Sequence, residues 1–420
     1  MGFQRLQRLA GYLLSFGLGR GALFVAPFLL ANYLPNADYG LLETALAAAS
    51  VIASLSTLGT ASAIPLVLLG HNSEASMKGI ITHHLFVVAA SLIFLLLGTA
   101  FQYPSAWLLT ALLTAGLTLQ SLGSIHLKTK GHGDASVLID AGLLGLMALA
   151  ISVAHAANAS TPMNWLWSAA LSYVAVLVGA YLWIVTRSEH AREPLVWPQT
   201  MQLGIPLMMG GLVSFLATTS GRLGMGLIAG PVMTADYAVL ARAAALPIVA
   251  HQLILIAKFR NLFAQPDAAV ERATLQIVLL VGVSVIGFVV FSPWLGVLLG
   301  AAFVKAFELH RVACFWIVAQ AVLWSAIALN DLVIARHQVM PKVLPYTITL
   351  LGLSLFLGWL SLDMAALTLE RFVVVHSGVM LFFYMAQSWI MNRLGLHLYK
   401  TWLITIAMFI VLSGAILSIA

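Results

Sequence analysis

The run IVLLVGVSVIGFVVF, from Ile277 to Phe291, contains no charged residue and no alternation of apolar with polar positions. A membrane β-strand would alternate, with one face turned to lipid and the other to a lumen. Backbone amides in hydrocarbon have no water to bond, so an unbroken apolar run satisfies its own backbone as an α-helix. About 20 residues at roughly 1.5 Å each bridge a hydrocarbon core of about 30 Å. The quoted run belongs to a span near 273–300. Twelve other stretches read the same way, near 10–34, 40–69, 79–100, 104–129, 135–156, 163–186, 200–229, 234–262, 308–336, 342–362, 367–391 and 399–419. With 61% hydrophobic and 8% charged residues and a mean hydropathy of +1.01 over 420 residues, composition excludes a soluble globular chain. The expected fold class is an all-α polytopic membrane protein.

Orientation follows from the loops, because lysines and arginines near span ends stay on the cytoplasmic side during insertion. With the amino terminus inside, fourteen of the twenty basic residues fall in cytoplasmic segments, among them Arg5, Arg8, Lys128, Lys130, Arg187 and Arg192. Only Lys305, Arg311 and Arg371 fall at outer loops. The longest polar segment, Arg187 to Gln199, carries Pro194 and Pro198 between spans six and seven. It divides the chain into an amino-terminal six-helix lobe (1–190), a cytoplasmic linker (191–200), a carboxyl-terminal six-helix lobe (201–392) and an additional transmembrane helix (393–420). Six spans per lobe imply parallel repeats about a pseudo-twofold axis along the membrane normal, enclosing a central cavity suited to alternating access. The basic residues are dispersed one to three per loop, which argues against a nucleic-acid partner despite a pI near 9.5.

A short pattern supports duplication. Gly19-Arg20 precedes Ala37-Asp38-Tyr39, and Gly221-Arg222 precedes Ala235-Asp236-Tyr237, the second triplet lying 198 positions after the first. Arg20, Arg222 and Arg242 are the basic residues left inside spans. An arginine at a helix centre costs roughly 2.5–3.5 kcal/mol by insertion scales. Arg20 sits roughly 15 Å from the inner edge of its span, beyond easy snorkelling, whereas Arg222 and Arg242 lie roughly 11–12 Å from outer edges and are within reach of the interface. Water-filled cavity or buried pair is therefore the better reading for Arg20; for the other two, snorkelling stands equally. The glycines flanking Arg20 and Arg222 also read as simple close helix packing. Glu43 is placed to pair with Arg20 or Arg242, giving an acid in one half beside a base in the other. Asp38 and Asp236 occupy short outer turns, where capping of the next helix is the first expectation and contact with substrate the second.

Other polar residues carry less. His83, His84, His251 and His376 have no metal-ligand spacing, and a satisfied interhelical hydrogen bond is expected for each. Asp140 and Asp331 lie near cytoplasmic span ends as either interfacial carboxylates or a coupling-ion site. Trp107, Trp165, Trp183 and Trp294 read as interfacial anchors. Cys314 is alone in an apolar span, so neither an intramolecular disulfide nor a cysteine metal site is available. The first span does not read as a cleavable signal, because Arg20 interrupts the apolar region. Nucleotide-binding loops and hydrolase triads are lacking, so no enzyme, cofactor or metal is expected.

The opening half resembles polysaccharide flippases of the Wzx type, in the MOP superfamily with the lipid II flippase MurJ and the MATE exporters. The resemblance rests on Gly19-Arg20, the turn Pro35-Asn36-Ala37-Asp38-Tyr39-Gly40, the small-residue span ending Leu58-Gly59-Thr60, the turn Lys128-Thr129-Lys130-Gly131-His132 and the six-plus-six layout, over about the first 390 residues. It implies a transporter moving an undecaprenyl-diphosphate-linked oligosaccharide, an O-antigen or exopolysaccharide repeat, from the inner to the outer leaflet of the bacterial cytoplasmic membrane. It further implies membrane lipids as surroundings, H+ or Na+ as coupling ion and a glycan polymerase complex as partner. Arg20 and Arg242 match family arginines; Arg222 has no equivalent. Substrate binding is thus expected at Arg20, Arg222 and Arg242, and gating or coupling at Glu43, Asp38 and Asp236. A MATE-type exporter of cations shares the fold but calls for acids where this chain has arginines. A glycan polymerase or glycosyltransferase calls for a larger outer loop than any found here.

Overall fold

The computed structural model describes residues 2–69, 73–187, 197–248, 251, 267–337, 339–362 and 366–419. Among them α-helix dominates, as apolar segments without water must be. The chain order is α1 (Gly2–Tyr33), α2 (Asn36–Ser56), α3 (Thr60–Leu69), α4 (Ser73–Ala100), α5 (Ser105–Thr129), α6 (Gly133–Ala156), α7 (Pro162–Arg187) and α8 (Trp197–Ile228). There follow α9 (Pro231–Ala243), α10 (Asp267–Leu299), α11 (Ala301–Leu309), α12 (Arg311–Arg336), α13 (Met340–Ser361), α14 (Leu369–Arg393) and α15 (Tyr399–Ile419).

Ten of the described helices are long and apolar enough to cross a membrane, or eleven if the bent α8 counts as one span. Thirteen were expected. The two outside that set are the first, which lies in α1, and the eighth. Only α9 and a short continuation of the eighth are described, because 252–266 lies outside the described residues. Expected span two is also corrected: the helix breaks at Thr57–Gly59, separating α2 from α3. Leu58 and Gly59 both take positive φ, 49° and 75°. Serines weaken the preceding turns, since the hydroxyls of Ser50, Ser54 and Ser56 bond carbonyls four residues back and so compete with the helical ladder.

The capping expected of Asp38 and Asp236 is not what the structure shows. The helices begin earlier, at Asn36 and Pro231, behind Pro35 and Gly230, and neither cap position makes a side-chain hydrogen bond. Proline supplies a preset φ and glycine a φ of 82° there. Asp38 falls in the first turn of α2, where a carboxylate complements the helix dipole, and Asp236 in the second turn of α9.

The chain forms two compact units, Met1–Met209 and Gly210–Ala420. The division falls inside α8; residues 191–196 of the expected linker lie outside the described residues. In the first unit α5 is central, packed by α2, α4, α6 and α7, while α1 lies along α6. In the second, α12 is central, with 83% of its spanning window buried, against α14, α15 and α10. The last helix belongs to this unit: Thr274 and Thr401 share a 3.0 Å hydrogen bond, and the Lys400 amide donates to Glu271 Oε1 at 2.9 Å. The four anchor tryptophans are all exposed, and the Arg187 guanidinium lies 3.6 Å from the Trp183 ring centroid.

The α2–α3 break leaves a specific signature within the first unit. A Cβ at Gly59 would lie 2.2 Å from the carbonyl carbon of Gly204, a backbone atom that cannot turn aside. We expect Gly59→Ala to lose about 1–3 kcal/mol of stability, read as a lowered thermal midpoint of the purified protein. Gly21→Ala, with nothing within 4 Å of its Cβ, serves as the neutral comparison.

Candidate functional site

In the second unit the two parts of the second motif copy meet. Helix α8 bends by 61° between Gly204–Ala217 and Thr219–Ile228. The Thr219 hydroxyl bonds the Phe215 carbonyl beside the bend, a side-chain arrangement known to bend helices. Two residues later comes Gly221, where a Cβ would stand 2.0 Å from the Tyr237 hydroxyl oxygen and 3.3 Å from His376 Cε1. Glycine here makes room for the tyrosine of the Ala-Asp-Tyr triplet. Tyr237 is buried and meets Phe372 edge-on at 6.0 Å, and Phe372 stacks on His376 at 6.1 Å. His376 Nε2 and the Ser220 hydroxyl are 3.0 Å apart, while Nδ1 has no hydrogen-bond partner among the described residues. Arg222 follows directly, half-buried on α8 and near enough to Tyr237 for its charge to act on the phenol. Ser220, Gly224, Phe372 and His376 line a cleft of about 110 Å³ with α13.

The first copy is built differently. A Cβ at Gly19 would meet Val137 Cγ1 at 2.5 Å and the Val137 carbonyl oxygen at 2.9 Å, so this glycine seats α1 on α6. Tyr39 instead donates its hydroxyl to Glu43 Oε1 at 3.1 Å, one turn along α2, with both side chains buried. Arg20 is exposed and Asp38 half-buried. Arg242 is half-buried in the last turn of α9. Thus Arg222 stands beside the tyrosine of its own copy, while Glu43 takes a hydrogen bond from the tyrosine of the other.

Asp331 anchors a second polar cluster. Its Oδ1 accepts from Gln387 Nε2 at 2.8 Å and its Oδ2 from the Ser214 hydroxyl. Asn330 donates to Gln387 Oε1 at 3.1 Å and to the Ser388 hydroxyl at 3.3 Å, and accepts from Trp402 Nε1 at 3.3 Å. This network ties α8, α12, α14 and α15 together, and Gln320 to Ser377 at 2.8 Å adds another α12–α14 bond. The partners of Asp331 were missed in sequence reading. Their signal was two adjacent polar pairs, Asn330-Asp331 and Gln387-Ser388, inside otherwise apolar spans.

The third cluster contains Asp236. Its Oδ2 lies 3.8 Å from His310 Nε2, and His310 Nδ1 lies 2.8 Å from Glu370 Oε1. Neither His310 nor Glu370 stood out in the sequence. The remaining histidines divide. His83 reaches the Ser56 carbonyl of a neighbouring helix at 3.0 Å, as expected, and His84 bonds Ile80 of its own helix at 2.8 Å. His251 departs from expectation: it meets Trp324 edge-on at 5.7 Å and has no hydrogen bond among the described residues. No group of three or more His, Cys, Asp or Glu is arranged to hold a metal among the described residues.

No family model matches the sequence, and no curated protein matches it. A solved structure does: the lipid II flippase MurJ in an inward closed conformation covers 97% of this chain and 98% of its own, at a TM-score of 0.64 and 12% identity. The chain has the MurJ fold. At that identity the MurJ likeness fixes the course of the helices and leaves the chemistry to the side chains described above.

Two substitutions test this packing. Gly221→Val drives a branched side chain into Tyr237, and we expect a loss of about 1–3 kcal/mol. Gln387→Ala strips donors and an acceptor from a buried network and should cost about 1–3 kcal/mol. Both are read from thermal unfolding of the purified protein beside wild type.

Proposed function

We propose that this protein is a flippase of the Wzx type in the MOP superfamily. It carries a polyprenyl-diphosphate-linked oligosaccharide, an O-antigen or exopolysaccharide repeat on undecaprenyl diphosphate, from the inner to the outer leaflet of a bacterial cytoplasmic membrane, by alternating access and with its amino terminus inside. The observation that carries this reading is the full-length likeness to the MurJ fold. That neighbour is a flippase of lipid II, itself a lipid-linked saccharide.

The sign of the embedded charge supports an anionic cargo. Arg20 on α1 and Arg222 on α8 interrupt apolar stretches, Arg242 lies in the last turn of α9, and a guanidinium stays charged at any accessible pH. A diphosphate concentrates negative charge and accepts paired hydrogen bonds from such a fork. In a partly dehydrated site the attraction far exceeds its value in water. We assign diphosphate and sugar binding to these arginines. Rehydration of the arginines or their pairing with Glu43 weakens that hold at release, and Asp38 and Asp236 are the further candidates for gating or coupling. A cation exporter would need the opposite sign.

Arg20→Ala is expected to lower the appearance of lipid-linked glycan on the outer leaflet at least about tenfold at matched expression, the consequence of losing about 1.4 kcal/mol of differential binding. Arg20→Lys should retain part of the activity, keeping the charge and losing the fork. Wild-type transport by both variants would remove Arg20 from the site.

A further inference from the structure

His310 sits in the junction between α11 and α12, with a carboxylate on either side of its ring. Nδ1 faces Glu370 in the first turn of α14 at 2.8 Å; Nε2 faces Asp236 on α9 at 3.8 Å. A neutral imidazole carries one N–H, so it can donate toward only one of these acids and must turn a lone pair toward the other. An imidazolium donates from both nitrogens. The two protonation states therefore differ in how many elements they hold: the charged ring joins α9, the α11–α12 junction and α14, whereas the neutral ring joins two at most.

We propose that Asp236, His310 and Glu370 form a proton-binding site, whose occupancy clamps α9 and α14 to the α11–α12 junction. The geometry favours a proton over a metal ion, because the imidazole stands between the carboxylates and keeps both from one coordination sphere. The site is reachable: the His310 and Asp236 side chains are 15% and 13% exposed and Glu370 37%. The surrounding charges come from each packed element. On α11 they are Lys305, which acts electrostatically on Asp236, and Glu308. Arg311 opens α12 over the Phe307 and Phe315 rings, Arg371 on α14 donates to the Ala366 carbonyl at 3.1 Å, and Arg242 ends α9. Imidazole is the side-chain type that exchanges a proton near neutral pH.

The clamp is complete when the ring is charged and both acids are ionised, and it is lost as pH rises through the histidine range. On the orientation read from the basic loops, this junction faces outside, so the acidic side of a proton gradient loads it. That consequence rests on the transporter reading; the proton site itself does not, and its test needs no substrate.

The test is the thermal midpoint of the purified full-length protein at pH 5.5 and pH 8, for wild type, His310→Gln, Glu370→Gln and Asp236→Asn. Wild type should be more stable at pH 5.5 relative to pH 8 than His310→Gln by about 2 °C or more, and each acid variant should lose part of that difference. Backbone amide exchange of 231–237 and 368–372, corrected for intrinsic rates, should be slower at pH 5.5 in wild type. In Glu370→Gln, whose exposed side chain makes misfolding of the variant no obstacle, the pH difference at 368–372 should be lost. An unchanged pH response in His310→Gln, or equal exchange at both pH values in wild type, would overturn the proposal.

Discussion

Hydrocarbon offers no hydrogen bonds, and the rest of this structure follows from that constraint. The backbone answers by closing its bonds within helices. Polar side chains answer by finding partners, and the second unit shows how. Asp331 divides its two oxygens between Ser214 and Gln387, and Asn330 is bonded by Gln387, Ser388 and Trp402. These bonds run between helices, so polar atoms that would be costly alone become the ties that fix which helices meet. The most buried spanning helix, α12, is also the one that carries most of them.

The duplicated motif shows how one pattern takes two physical forms. Around Gly221 the glycine exists for Tyr237, which reaches into the space a side chain would fill. Around Gly19 the glycine exists for Val137, and Tyr39 is left to bond Glu43. The divergence places a carboxylate beside the tyrosine of one unit and an arginine beside that of the other.

Much of the helical layout was legible because hydrophobic runs have no other stable form in lipid. Boundaries set by local backbone were less so: nothing in the apolar pattern of 40–69 marks the break at Leu58 and Gly59, which depends on two residues adopting positive φ. Likewise, Asp38 and Asp236 looked like caps because aspartate often is one, yet Pro35 and Gly230 start their helices without side-chain help. Arg20, Arg222 and Arg242 stand out in the sequence by charge alone. His310 and Glu370 do not, because their meaning lies in a meeting of residues 60 positions apart with Asp236 on a third element.

The central claim is that this protein carries lipid-linked anionic glycans. The most direct measurement reconstitutes it in liposomes holding a fluorescent polyprenyl-diphosphate oligosaccharide in one leaflet and follows its accessibility to a membrane-impermeant quencher on the other side. The account predicts protein-dependent movement of the diphosphate-linked saccharide and none of a cationic dye. Movement no faster than in protein-free liposomes, or export of the cationic dye in its place, would contradict it.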